Sequence, residues 1–188
     1  MGFRMETLEP KLVQGVTIQG LFDIALKERL SEGAWRALSA GGLDRSRPVR
    51  PTYPVATWLR WQNIVLRDLW PDAPLDEAWR RLGHTVMEGL LATVLGRMLG
   101  VGARALGPQF ALAKLDHAFP GTGNYIRSHV RPVAPCRAEL WLSDLNDRPT
   151  YYVGVLEAVL LLAGATSPRC TLLCREGDSG TYLLEWSV

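Results

Sequence analysis

The chain has little cysteine, little histidine and almost no net charge, and each shortage excludes a class of protein. Three cysteines, Cys136, Cys170 and Cys174, are an odd, low count that argues against a disulfide framework, so we expect a cytoplasmic protein. A formal net charge of +2 is too small to indicate a nucleic-acid partner. No spacing of cysteine and histidine is typical of a metal site, so no metal is predicted.

A long hydrophobic run is also missing. The most apolar stretch, Val153–Ala165, spans 13 residues and is interrupted by Glu157, whereas a membrane-spanning helix needs about 20 residues. It is therefore predicted to be a buried core helix, with no membrane span in the chain. Residues 1–10 contain Glu6 and Glu9 and have no continuous apolar core, so a secretory signal is not expected.

What is present is typical of one ordinary domain. The chain has 188 residues, 47% of them hydrophobic, which is enough to bury a sizeable core. The pattern predicts a single α+β domain over 1–188, helical over about 19–118 and ββαββ over about 125–188. The helical N-terminal subdomain is expected to pack on an antiparallel sheet that carries one buried helix.

The N-terminal half shows apolar residues at steps of three or four, which predicts helices. Ser31 is the predicted cap of the second helix, and Thr52 that of the third. The predicted helices span 20–30, 31–40, 54–69, 74–100 and 108–117.

The longest of these helices contains three interior glycines, Gly83, Gly89 and Gly96. Each glycine in a helix interior costs up to about 1 kcal/mol relative to alanine. Close helix packing or a pocket wall would explain that cost, and a kinked or broken helix is the alternative.

The C-terminal part alternates apolar and polar residues, which predicts half-buried strands. The predicted strands are 125–133, 137–143, 169–175 and 181–188, and the apolar helix, ending near Gly164, lies between the second and the third. Asp178-Ser179-Gly180 is typical of a hairpin turn.

Few residues are candidates for chemistry. Cys170 and Cys174 are predicted on one face of a strand about 13 Å apart, too far to share a metal ion, so both should be small buried hydrophobes. His117, near several apolar side chains, is the best candidate for a haem ligand, and a half-exposed helix-end histidine is the alternative. Glu157 is either a buried carboxylate that belongs to a functional site or the one residue of its helix that faces solvent. No catalytic motif is present, so an enzyme is not predicted.

Several short motifs, spread over nearly the whole chain, resemble a paralogous, uncharacterised family of myxobacterial proteins. These motifs are Arg47 to Pro54 (Arg-Pro-x-x-Pro-x-Tyr-Pro), Leu82-Gly83, Gly96-Arg97, Leu106-Gly107-Pro108, Tyr151 to Glu157 and Tyr182…Trp186.

The order of elements is similar to a wider group that contains the H-NOX domains, the vinyl-reductase-like domains and the small TRAPP tethering subunits. This resemblance implies an internal apolar pocket between sheet and helices, which holds haem, a small ligand or an acyl chain, and it implies frequent dimers. The Tyr-x-Ser-x-Arg propionate clamp of haem members is not reproduced by residues 125–129. We therefore predict no cofactor, with haem as the alternative.

The leading hypothesis is a non-enzymatic sensory or adaptor module that binds a small apolar ligand or a partner protein. One alternative is a dimeric interaction scaffold, favoured by seven tryptophans, and another is a haem-based gas sensor that uses His117. The predicted pocket lies between the long helix and the apolar helix, and its residues are Val86, Leu90, Val94, Trp141, Tyr152, Leu156 and Glu157.

Overall fold

The computed structural model describes residues 9–188, apart from the side chains of residues 95 and 99. The expectation about a secretory signal therefore falls largely outside the described residues. Within them, no single helix has the length and hydropathy to cross a membrane. The pair Leu75–Ala92 and Gly96–Leu106 passes the same criterion only when both are counted together, and the two bend by 94°.

The N-terminal half is mainly helical and begins with a small two-stranded sheet. Strand β1 (Leu12–Gln14) pairs antiparallel with β2 (Thr52–Pro54), and Val13 lies opposite Tyr53. A π-helical turn at Gly20–Ala25 follows α1, and a 3-10 turn at Phe119–Gly121 ends this half. The elements are β1 (Leu12–Gln14), α1 (Gly15–Gln19), α2 (Glu32–Ala40), β2 (Thr52–Pro54), α3 (Val55–Leu69), α4 (Leu75–Ala92), α5 (Val94–Leu106), α6 (Pro108–Ala113) and α7 (Leu115–Ala118).

One of the two predicted helix caps is confirmed, and the other is wrong. The Ser31 cap is confirmed, since its hydroxyl oxygen accepts a hydrogen bond from the Ala34 amide at 3.1 Å. The Thr52 cap is wrong, because Thr52 lies in β2 and pairs with Gln14. The first helix also begins at Gly15 rather than Gly20. Sheet pairing with a distant segment decides both differences, and local pattern does not reveal it.

The predicted long helix is wrong in its length. It breaks at Thr93, whose backbone is extended (ψ 164°) and whose hydroxyl caps α5 by accepting from the Gly96 amide at 3.0 Å. The same hydroxyl donates to the Leu90 carbonyl at 2.6 Å. The predicted 108–117 helix is similarly divided at Lys114.

The C-terminal half confirms the predicted ββαββ arrangement and the α+β class. The four strands form one antiparallel sheet in the order β3-β4-β6-β5. Eight of the 14 residues of helix α8 are buried. The elements are β3 (Ser128–Ala134), β4 (Arg137–Leu142), α8 (Pro149–Leu162), β5 (Thr166–Glu176) and β6 (Ser179–Ser187).

Helices α4 and α8 cross with their backbones in close contact. A Cβ atom on Gly154 would lie 2.0 Å from the Arg80 carbonyl oxygen, and one on Gly83 would lie 2.1 Å from the Tyr151 carbonyl oxygen. Both distances are shorter than any van der Waals contact. Close packing against α8 therefore explains why α4 contains a glycine at position 83 despite its free-energy cost. The predicted long helix is also broken, at Thr93.

A bulge in β5 separates the two strand cysteines. Cys170 is opposite Leu184 of β6 and is buried, but the register shifts between Leu172 and Cys174, so that Cys174 is opposite Thr181. The extra residue turns Cys174 to the other face, where it is exposed. The prediction that both cysteines share a face and are buried is therefore wrong.

Candidate functional site: an apolar cavity

A cavity of about 500 Å³ lies between α8 and the helices that precede the sheet. Val86 and Leu90 of α4 form one wall, and Val155 and Val159 of α8 form the facing wall. Residues of α5, α6 and α7 contribute further lining, as do Trp58 of α3 and the segment 119–126. The volume and the apolar lining are typical of small-molecule sites.

Three of the predicted pocket residues, Val86, Leu90 and Tyr152, lie in the wall of this cavity. The side chain of Val94 is 68% exposed, because α4 has already ended and Val94 starts α5. Trp141 is 38% exposed on the sheet face away from α8, since neighbours in a strand alternate sides and Leu140 and Leu142 are buried.

Leu156 and Glu157 are buried in α8 but are not in the cavity wall. Helical periodicity explains this, because Tyr152, Val155 and Val159 follow each other at steps of three and four and define the face towards the cavity. That spacing is visible in the sequence. It was the available signal for Val155 and Val159, which sequence reasoning missed.

The buried Glu157 carboxylate forms an ionic cluster with two partly exposed residues of α4. The Arg80 Nε and Nη2 atoms donate to its two carboxylate oxygens at 2.8 and 3.0 Å, and His84 Nε2 donates to Oε2 at 3.0 Å. Burial alone would raise the pKa of Glu157, but the hydrogen bonds from His84 and Arg80 outweigh it and hold that pKa below its ordinary value. The cluster connects α8 to α4. Burial raises the pKa of the neighbouring Cys170 thiol.

The segment before α8 places a second arginine in the interior. Arg148 is 3% exposed, and its Nη1 atom donates to the Gln62 side-chain oxygen. Its guanidinium carbon lies 4.9 Å from the ring centroid of Tyr151 and 5.3 Å from that of Trp79. The aromatic rings provide cation–π contacts, but neither they nor the Gln62 amide carries a negative charge.

Three tyrosines near Arg148 also contribute to the cavity. Tyr125, Tyr151 and Tyr152 all line the cavity. Burial raises the pKa of each above its ordinary value, and the positive charge of Arg148 opposes that rise in all three. The Tyr152 hydroxyl is buried, and the lining of the cavity is mainly apolar.

His117 of α7 also lines the cavity. Its Nδ1 atom lies 2.6 Å from the Asp116 carboxylate, and its side chain is 76% exposed. A carboxylate on one ring nitrogen is the usual arrangement around a metal-binding imidazole, since it orients the other nitrogen. Within residues 9–188, no group of three or more His, Cys, Asp or Glu side chains is arranged to hold a metal ion.

The family model described as "Protein of unknown function (DUF2378)" matches residues 11–187. The chain belongs to this family. No protein among the curated ones is significantly similar to it.

Solved H-NOX structures have the same fold. A doubly substituted H-NOX protein designated Tt superposes with a TM-score of 0.72 at 13% identity, over 93% of this chain and 95% of that chain. An H-NOX protein from S. oneidensis in the Fe(II)NO ligation state gives 0.70 at 12% identity, over 93% and 99% of the two chains. An unliganded Fe(II) H-NOX variant from K. algicida gives 0.65 at 10% identity, over 93% and 97%. The predicted H-NOX-like fold is confirmed.

Proposed function

We propose that this chain is a non-enzymatic sensory or adaptor module that holds a small, mainly apolar ligand in the cavity between α4 and α8. The observation that carries the proposal is the cavity itself, about 500 Å³ in volume and lined on both helices by valine and leucine. An apolar molecule in this cavity would make dispersion contacts with side chains of both helices, and its apolar surface would be removed from water.

The proposal predicts that the purified protein carries or takes up an apolar molecule. Native mass spectrometry should show a mass above that of the chain, and the dye Nile red should become fluorescent on binding. Replacing Val159 with tryptophan fills the cavity and should weaken dye binding by about tenfold or more.

The matched control is Leu161→Trp, two residues along the same helix, where the side chain is 46% exposed and does not line the cavity. This variant should bind the dye as the unaltered protein does. Equal dye binding by both variants, with no co-purified molecule, would reject the ligand-binding proposal.

A second candidate function is haem-based gas sensing. It is supported by the position of His117 in the cavity wall and by the Asp116 carboxylate on its Nδ1 atom, which together leave Nε2 for an iron ligand. The donor chemistry and the apolar lining both fit a haem. The S. oneidensis H-NOX protein with the same fold was determined in an Fe(II)NO state.

Haem binding has a direct spectroscopic test. The protein expressed with added haemin should show a Soret band, and His117→Ala should abolish or shift that band, whereas His129→Ala on the exposed sheet should leave it unchanged. A colourless protein with no Soret band removes this candidate without affecting the first.

A third candidate is a dimeric interaction scaffold, supported by the outer surface of α5. Val94, Met98, Val101 and Leu106 are between 58% and 74% exposed, and clustered apolar side chains of this kind mark protein contacts. Light scattering at increasing concentration should then show a dimer that Val101→Glu dissociates. A monomer at high concentration removes this candidate.

A further inference from the structure

Helix α5 turns an apolar stripe towards solvent, which is the reverse of an ordinary surface helix. Val94, Met98 and Val101 follow each other at steps of four and three, so they share one side of the helix. Their side chains are 68%, 71% and 74% exposed. Gly96 and Gly100, on the opposite side, are buried. A surface helix normally turns its apolar stripe to the core, so the stripe of α5 is suited to a partner outside the chain.

The glycine side of α5 is the side that packs on the domain. A Cβ atom at Gly100 would lie 3.2 Å from the Cδ1 atom of Leu162 in α8. This is a tight approach, and it leaves little room for any side chain at position 100. The contact therefore keeps the glycine side inward and the apolar stripe outward.

The charges that accompany the apolar stripe all have one sign. Between Glu88 and Asp116 the sequence contains Arg97, Arg104 and Lys114 and no acidic residue. All three cations are exposed. Arg97 and Arg104 are seven residues apart, so they lie along the same flank of the stripe. Long arginine side chains at such a flank can keep their charged ends in a polar layer while their stems cover apolar surface.

The acidic residues of the domain leave these cations available. Within residues 9–188, every ion pair closer than 4.0 Å involves a cation other than Arg97, Arg104 and Lys114. The two acids that bound the segment have other neighbours, because Glu88 lies 3.9 Å from an arginine of the preceding segment and Asp116 contacts the adjacent histidine. The α5 surface is therefore complementary to a partner that is both apolar and anionic.

The apolar stripe is continuous with the wall of the cavity. Met98 and Phe110 both line the cavity, and their side chains are 71% and 39% exposed. The same two side chains thus belong to the cavity and to the outer surface. An apolar phase that contacts the stripe would lie directly beside the cavity.

A second copy of the chain fits this surface less well than lipid does. In a two-fold symmetric dimer the same patch meets itself, so a contact through α5 would bring together the arginines of both copies without an acidic residue from either helix. Phosphate groups of anionic lipids supply the missing negative charge, and the acyl region below them covers apolar side chains.

We propose that the outward face of α5 binds the surface of an anionic lipid bilayer. Val94, Met98 and Val101 enter the boundary of the acyl region, and Arg97 and Arg104 pair with lipid phosphates, a geometry that arginine favours. The helix lies along the bilayer surface and does not cross it. This inference adds a partner to the proposed function and does not depend on a ligand in the cavity.

Co-sedimentation of the full chain with two kinds of vesicle tests the inference. The protein should bind vesicles of equal parts phosphatidylglycerol and phosphatidylcholine about 10- to 100-fold more tightly than vesicles of phosphatidylcholine alone. Because opposite charges at a surface are screened by salt, binding should weaken as the salt concentration rises.

Two pairs of arginines separate a specific surface from overall charge. Arg97→Gln combined with Arg104→Gln should weaken binding to the anionic vesicles by about 10- to 30-fold. The matched control combines Arg60→Gln with Arg67→Gln, since these arginines are also exposed and seven residues apart, on α3. The control has the same net charge and should bind nearly as the unaltered protein does.

The apolar part of the contact has its own variant. Val94→Ser combined with Val101→Ser should weaken vesicle binding by about tenfold or more, because less apolar surface is removed from water. Neither valine lines the cavity, so Nile red binding should be unchanged. Both side chains are exposed, and circular dichroism should show the same fold.

Several outcomes would overturn the inference. These are no binding to either vesicle, equal binding to both, and equal weakening by the α3 and α5 arginine pairs. A dimer that the two valine substitutions dissociate, together with no vesicle binding, would show that a second copy covers the stripe instead of lipid. Nile red reports on the cavity separately, so a protein that binds the dye but no vesicle loses this inference and keeps the ligand-binding function.

Discussion

Replacing Gly154 with alanine should lower the free energy of unfolding by about 3 kcal/mol, towards the upper end of the usual cost of overpacking. The added methyl group would lie 2.0 Å from the Arg80 carbonyl oxygen of α4. That atom belongs to a helix backbone and cannot rotate away, so α4 and α8 must move apart. Urea unfolding followed by circular dichroism measures the change.

The control for this prediction is Gly102→Ala in α5. A Cβ atom at Gly102 meets nothing within 4 Å, so alanine should raise stability by up to about 1 kcal/mol through its better helix propensity. If Gly154→Ala unfolds at the same urea concentration as the unaltered protein, the close helix contact is wrong. Because α8 and α4 are also the two main walls of the cavity, Gly154→Ala should weaken Nile red binding as well.

Replacing Glu157 with glutamine should lower the free energy of unfolding by about 1–3 kcal/mol, the range for hydrogen bonds to charged groups. Glutamine keeps the size of the side chain but removes the charge that faces Arg80 and His84. Arg80 is about half exposed, so water can replace part of the lost contact, and the cost stays below that of a fully buried pair.

The effect of Glu157 should depend on pH in one direction. The pKa of Glu157 in the folded protein lies below the ordinary value of 4.5. Folding therefore stabilises the ionised carboxylate relative to the protonated one. The contribution is fully present above pH 4.5 and is lost as the pH falls through the folded pKa. The stability difference between the unaltered protein and Glu157→Gln should therefore shrink as the pH falls below 4.5.

Glu77→Gln is the matched control for Glu157→Gln. Glu77 accepts a hydrogen bond from Arg81 on the exposed surface of α4 at 2.9 Å. Exposed ion pairs contribute about 0–1 kcal/mol, so this variant should differ little from the unaltered protein at any pH. Equal losses for Glu77→Gln and Glu157→Gln would show that burial of the Glu157 carboxylate is not what gives it its effect.

Local pattern was sufficient for the C-terminal half of the fold. The alternation of Ala138, Leu140 and Leu142 with polar neighbours predicts β4, and the apolar run through Glu157 predicts α8. These signals are strong because the period of a strand or helix determines which of its residues face the core. The same reasoning placed Val86, Leu90 and Tyr152 near each other, and the structure places all three in the cavity wall.

Positions decided by contacts with distant residues were not accessible in this way. Apolar residues continue at helical spacing across Thr93, so the break between α4 and α5 is invisible in the periodicity. The bulge after Leu172 in β5 turns Cys174 outwards although its spacing from Cys170 is even.

The sequence by itself determined the α+β class, the strand–strand–helix–strand–strand order and the burial of α8. These features follow from the spacing of apolar residues over short stretches of the chain. Only the tertiary structure decided that α4 and α8 form two walls of a cavity and that Arg148 lies buried. An arginine in a loop before a helix looks like a solvated residue in any sequence. Its surroundings come from Gln62, Trp79 and three tyrosines, which the fold brings together.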